Sequence, residues 1–200
     1  MPAVRPVRAL AASTVIIALS LAPLFSAAPA LAAPTPSLLI TEIVPNGTGD
    51  DNFEFFEVTN TSDAELDLDA AGVRFQYTGV TAEPLLSVEP GTVIAPGAST
   101  VFWLSYTTGA VDSFAYSEDD FRAEYASGTD YDIVRMSGQA GMANGGSRGI
   151  RAIDAVGTEL AESFYLPGQV GQNLGANFGA PADGTDAEFR EIAAPTPGEI

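Results

Sequence analysis

Carboxylate oxygen is the ligand chemistry this chain has in quantity. It carries 26 aspartates and glutamates against eight arginines, with no lysine, histidine or cysteine, and a net charge of −18 at pH 7. Asp50, Asp51, Asn52 and Glu54 crowd one stretch, and Asp112, Glu118, Asp119 and Asp120 crowd another. Calcium takes about six to eight oxygens from carboxylates and carbonyls, so Asp50, Asp51 and Glu54 are candidate calcium ligands. Neither stretch has the spacing of an EF-hand loop. The plainer readings are a solvated turn for the first and helix-end acid for the second. Glu42 and Glu57 differ, because each sits inside an apolar, strand-like segment. If those strands pair, the carboxylates lie close. They then either accept hydrogen bonds from loop backbone amides or share a cation; we take the first.

The missing residue types exclude whole classes of chemistry. Without histidine or cysteine there is no Ser-His-Asp or Cys-His nucleophile, no histidine-held zinc and no binuclear phosphoesterase centre. A paired-carboxylate glycosidase is not excluded by composition, but acids are too common here for any pair to be informative. Asn144-Gly145-Gly146-Ser147 lacks the lysine of a phosphate-binding loop and reads as a hairpin turn with unusual backbone angles. So acidic a chain repels nucleic-acid backbones and favours cations and basic partners.

These residues must be positioned by an exported domain. Residues 1–32 read as a signal peptide: Arg5 and Arg8, an apolar run from Ala9 to Phe25, then the cleavage signal Ala30-Leu31-Ala32. The run is short for a membrane span and is broken by Pro23. Residues 33–37 form a proline-rich leader. The localisation expected is secreted, with no membrane attachment after cleavage. The mature part then holds six arginines and all 26 acids, one domain's length of chain that must stabilise itself without disulfides. Arginine as the sole base, with abundant alanine, suggests a high-GC bacterial genome.

The mature chain reads as short strands between turn clusters: 38–44, 53–60, 66–68, 73–77, 85–88, 92–94, 100–106, 131–136, 148–154 and 159–165, with further strands near 174–178 and 187–192. One segment breaks the pattern. Ser117 followed by Glu118-Asp119-Asp120 caps a helix, and Phe121 and Tyr125 share one of its faces, so 118–125 is a short helix in a long connection. Trp103 and its aromatic neighbours read as core. Many short strands of this kind indicate an all-β sandwich or barrel.

In their order along the chain, these segments resemble the lamin-tail domain family. Leu39-Ile40-Thr41-Glu42-Ile43 resembles its opening strand, and Phe56-Glu57-Val58-Thr59-Asn60-Thr61-Ser62 its second. Leu66-Asp67-Leu68 matches the short strand that follows. Gly91 to Ala98 resembles the turn before the core strand Val101-Phe102-Trp103-Leu104. Asn144-Gly145-Gly146 with Ile150, Asp154 and Gly157 is similar to a later hairpin, and Pro195-Thr196-Pro197-Gly198 to the exit motif. Ala71-Gly72-Val73 stands where the family often has Gly-Trp, and the connection over 105–130 is long for it. The resemblance covers residues 38–198 and implies an immunoglobulin-like β-sandwich. It also implies a noncatalytic module for binding, spacing or targeting at the cell surface, with a protein or a cell-wall glycan as partner. The alternative is an accessory N-terminal domain of an extracellular metallophosphoesterase or nuclease whose catalytic part is absent from this chain. The chain is especially similar to the leader domain of secreted actinobacterial metallophosphoesterases. A third reading is a sandwich made catalytic by carboxylates and calcium.

Overall fold

Three apolar segments are buried on both faces, which makes them the centre of a covered sheet. They are β1 (Leu38–Val44), β2 (Phe55–Asn60) and β7 (Ser99–Leu104). The computed structural model describes residues 37–199, so the expected signal peptide and the expected leader up to Pro36 lie outside the described residues. The remaining strands are β3 (Leu66–Asp67), β4 (Arg74–Thr78), β5 (Leu85–Leu86), β6 (Val93–Ile94), β8 (Thr107–Thr108), β9 (Val111–Asp112), β10 (Asp132–Met136), β11 (Arg148–Ile153), β12 (Glu159–Tyr165), β13 (Gly175–Gly179) and β14 (Glu188–Ala193). One six-stranded sheet runs β10-β7-β2-β1-β13-β14, and a four-stranded sheet runs β12-β11-β4-β5. The described residues form the all-β sandwich expected, with a single short α-helix among them, α1 (Glu118–Glu124).

The period-two alternation of β2 and β7 explains why both faces are apolar. Phe56, Val58, Phe102 and Leu104 point toward the four-stranded sheet and meet Phe75, Ile150 and Ala161 in the main core. Phe56 and Phe102 stack with centroids 5.1 Å apart, and Phe75 lies edge-on to Phe56. Phe55, Val101 and Trp103 point the other way and meet Val44, Phe53, Phe121 and Tyr131 in a second cluster. The long 105–131 connection therefore forms a third layer over the outer face of the large sheet. Burying Phe121 against Phe55 and Trp103 holds α1 in place. A helix of seven residues would not persist without such packing. A capping box starts it: the Ser117 side chain accepts from the Asp120 amide, and the Asp120 carboxylate accepts from the Ser117 amide at 2.8 Å.

The connection returns to the sheet as β10, which pairs with β7 in parallel. Arg135 of β10 lies 3.8 Å over the Trp103 ring and donates to the carbonyls of Ser113 and Tyr116, which ties a 3-10 turn at Ser113–Ala115 to the sheet. The small β8–β9 hairpin in this connection has no sequence forerunner, since its strands, Thr107-Thr108 and Val111-Asp112, are only two residues long and too short to show an alternation. Asn144–Ser147 is not a hairpin turn. It carries the chain from β10 in one sheet to β11 in the other, and those two strands do not pair. Asn144, Gly145 and Gly146 are also absent from the positive-φ positions, because a link between sheets need not reverse tightly. The later hairpin is β11–β12, closed by Asp154, whose carboxylate accepts from the amides of Val156 and Thr158.

Two bulges set which side chains face each other. Opposite β2, Ile40 pairs with Val58 but Glu42 pairs with Glu57, so Thr41 is an inserted residue. Leu38, Ile40 and Ile43 thereby enter the main core, and Glu42 is left to the outer face with Glu57. In β12, Ala161 faces Ala152 and Glu159 faces Ile153, with Leu160 as the extra residue.

Candidate functional site

The two acidic stretches of the sequence meet in space. The 48–53 loop and α1 form the walls of an open cleft of about 530 Å³, lined by Asp50, Asn52 and Phe53 on one side and by Asp120, Ala123 and Glu124 on the other, with Tyr116 at the rim. No lining residue is basic. Tyr116 is 37% exposed and rests edge-on against Phe53, with ring centroids 4.8 Å apart. Phe114, two residues earlier, is among the most exposed aromatic side chains.

The walls are fixed from behind. Asn52 is buried; its side-chain oxygen accepts from the Asp112 amide at 2.8 Å, and its carbonyl accepts from the Trp103 indole at 2.8 Å. Tyr125, at the end of α1, donates to the Phe53 carbonyl at 2.6 Å. Thr48 donates to Asn173 at 2.6 Å. The Asp120 carboxylate is held well into its charged form by hydrogen bonds from the Ser117 amide and hydroxyl. The cleft thus presents carboxylates beside an aromatic ring on an ordered frame, an arrangement suited to a positively charged group with an apolar stem.

The three candidate calcium ligands are placed differently from one another. Asp50 is exposed in the cleft. Asp51, at a φ of 44°, turns one oxygen to the Asn144 side-chain amide at 2.9 Å. Glu54 is fully buried; it accepts from the Tyr106 hydroxyl at 2.7 Å and from the Met142 amide at 3.1 Å. Burial pushes the Glu54 carboxyl up to about 8, with the Asp51 charge adding to the rise and the Tyr106 hydrogen bond opposing it. Gly141 makes room for this contact, since a Cβ there would lie 2.0 Å from the Tyr106 hydroxyl. Among the described residues, the acidic oxygens that do converge, within 4.8 Å of one another, belong to Glu159, Glu162 and Asp186. There Arg151 supplies the positive charge, reaching Glu83, Glu159 and Glu162 at 3.0–3.1 Å. The Leu160 bulge brings Glu159 and Glu162 to one face, and no residue pattern announces it.

Glu42 and Glu57 do meet across β1 and β2, and both accept from loop backbone amides, as the sequence suggested. Glu42 accepts from the Thr196 amide at 3.2 Å, and Glu57 from the Gly198 amide at 2.6 Å and the Thr41 hydroxyl at 2.7 Å. Burial, and then the neighbouring Glu57, push the Glu42 carboxyl up to about 8; burial raises Glu57 as well.

The cleft residues Phe53, Tyr116 and Glu124 were not legible as site residues, although Tyr116 directly precedes the helix cap and Phe53 follows Asn52. No curated protein matches the chain. The model of the lamin tail domain matches residues 32–162, so it takes in both walls of the cleft and ends before β13 and β14, which complete the large sheet. The chain therefore belongs to the lamin tail domain family, a family of noncatalytic, immunoglobulin-like modules.

Proposed function

We propose that this protein is an exported binding module that docks a basic side chain of a partner protein in the cleft between the 48–53 loop and α1. The observation that carries this reading is the juxtaposition of Asp50, Asp120 and Glu124 with the exposed Tyr116 ring, with no basic residue in the lining. A lysine or arginine entering there meets carboxylates for its head and a ring face for its stem. The overall charge of −18 attracts basic partners from a distance and speeds encounter. Export is supported by the sequence of charge, apolar run and Ala-x-Ala in the first 32 residues. A neutral wall glycan could use the carboxylates as hydrogen-bond acceptors but would leave their negative charge uncompensated, whereas a basic side chain supplies both the donors and the opposite charge.

The test is an NMR titration of the isotope-labelled protein with an arginine- and lysine-containing peptide and, separately, with a neutral oligosaccharide. The reading predicts peptide-induced shifts concentrated at 48–53 and 116–124, weakening as salt rises. Shifts spread evenly over the acidic surface, or a response to the oligosaccharide alone, would overturn it.

A further inference from the structure

The exit segment Pro195–Glu199 is attached to the large sheet by an unusual pair of anchors. Its amides at Thr196 and Gly198 donate to Glu42 and Glu57, which are 2% and 1% exposed and directly opposite in the β1–β2 register. Gly198 has a φ of +83°, and a Cβ on it would lie 2.1 Å from the Tyr131 ring. The segment therefore fits only in this turn, under this ring. A cavity of about 300 Å³ lies beside the pair, between it and β14.

Two buried carboxylates face to face need a positive charge or a proton between them. The groups around them supply little of the former. Arg190 of β14 lines the cavity, but its guanidinium pairs with Glu188 at 3.1 Å. Glu191 of β14 and Glu199 of the exit segment add negative charge. From the helical layer come Tyr125 and Tyr131, both neutral, while Arg122 lies 5.0 Å over the Tyr131 ring and 3.6 Å from Glu118. Thr41, Thr59 and Ser99 form a hydroxyl chain that ends on Glu57. Such a chain offers hydrogen bonds and no net charge.

We infer that Glu42 and Glu57 form a proton-dependent clasp: the pair holds residues 195–199 on the sheet while it keeps a proton, and releases them when both carboxyls ionise. Loss of the retained proton sets a second negative charge against the first, in a site where the amides of Thr196 and Gly198 and the hydroxyls of Thr41 and Ser99 are the donors that solvate them. Opening to water is then the relief available, and the covering segment is what must move. The clasp does not depend on the cleft or on its ligand, which lie on other residues.

The test follows the Thr196 and Gly198 amides of the protein by hydrogen exchange and NMR from about pH 6 to about pH 9.5. After correction for intrinsic rates, wild type loses protection at these two amides by about tenfold or more. In Glu42→Gln, whose side chain stays neutral, protection holds across the range. Equal protection at both ends of the range in wild type, or the same loss in Glu42→Gln, would overturn the inference. Should Glu42→Gln fail to fold, carbon-detected titration of the wild-type glutamate carboxyls decides. A proton retained by the pair at neutral pH supports the clasp, and two carboxyls ionised below about pH 5 refute it.

Discussion

Replacing Glu54 tests how the fold accommodates a fully buried carboxyl. Glu54→Ala strands two buried donors, the Tyr106 hydroxyl and the Met142 amide, that now share one carboxylate. Each buried donor left without an acceptor costs about 1–3 kcal/mol, so the variant loses on the order of 2–6 kcal/mol, before any cavity effect. Glu54→Gln keeps an acceptor and costs about 1 kcal/mol. Its larger effect is on pH. In the folded state the Glu54 carboxyl is raised from 4.5 to about 8, while in the unfolded chain it returns to the ordinary value. Between those values the folded protein holds a proton that the unfolded chain has released. The stabilisation is thus fully present below about pH 4.5 and is lost as pH rises toward 8, at up to about 1.4 kcal/mol per pH unit. Glu42, raised to about 8, contributes in the same direction. The assay is urea unfolding at about pH 5, 6.5 and 8, followed by the fluorescence of Trp103, the only tryptophan and fully buried. Wild type is expected to weaken steadily across this range, and Glu54→Gln to weaken less steeply by one proton's worth. Stability that rises from pH 5 to 8, or equal slopes in the two proteins, would refute the reasoning.

Other outcomes follow from the same packing. Phe121→Ala removes the side chain that holds α1 on Phe55 and Trp103 and is expected to cost about 3–5 kcal/mol in urea unfolding, with a red-shifted Trp103 emission. Ser117→Ala deletes half of the capping box and is expected to cost about 1 kcal/mol. Gly198→Ala drives a methyl into Tyr131 and should weaken the Thr196 and Gly198 amide protection at every pH, read by hydrogen exchange. Because Glu54 is bound by Tyr106 and Met142, millimolar calcium is expected to move the melting temperature by less than about 2 °C. A rise of several degrees would show a calcium site in the folded state.

Much of the sheet was legible because burial on two faces writes a dense signal. Phe55-Phe56 and Val101-Phe102-Trp103 are apolar at successive positions, and such a strand must be covered on both sides. Helix α1 was legible from Ser117, the acids after it and the Phe121–Tyr125 spacing. The bulges at Thr41 and Leu160 were not, since each breaks the alternation by one residue and nothing in the residue types marks which one is extra. Yet those bulges decide that Glu42 meets Glu57 and that Glu159 meets Glu162. The cleft was half legible. Asp50 and Asp120 stood out as acids, but their meeting depends on the parallel return of β10 to β7 and on Asn52 bridging to Asp112. Those contacts join residues far apart in the chain, and short-range pattern carries no record of them.

The most direct test of the binding account is the dissociation constant of an arginine- and lysine-containing peptide for wild type and for Tyr116→Ala, measured by calorimetry at low salt. Tyr116 lies on the surface, so the substitution leaves the fold intact while removing the ring that faces the cation. The account predicts an affinity loss of about threefold to thirtyfold, the range of one cation–π contact, with a further loss when Asp50→Asn is added. An affinity unchanged in both variants would contradict it.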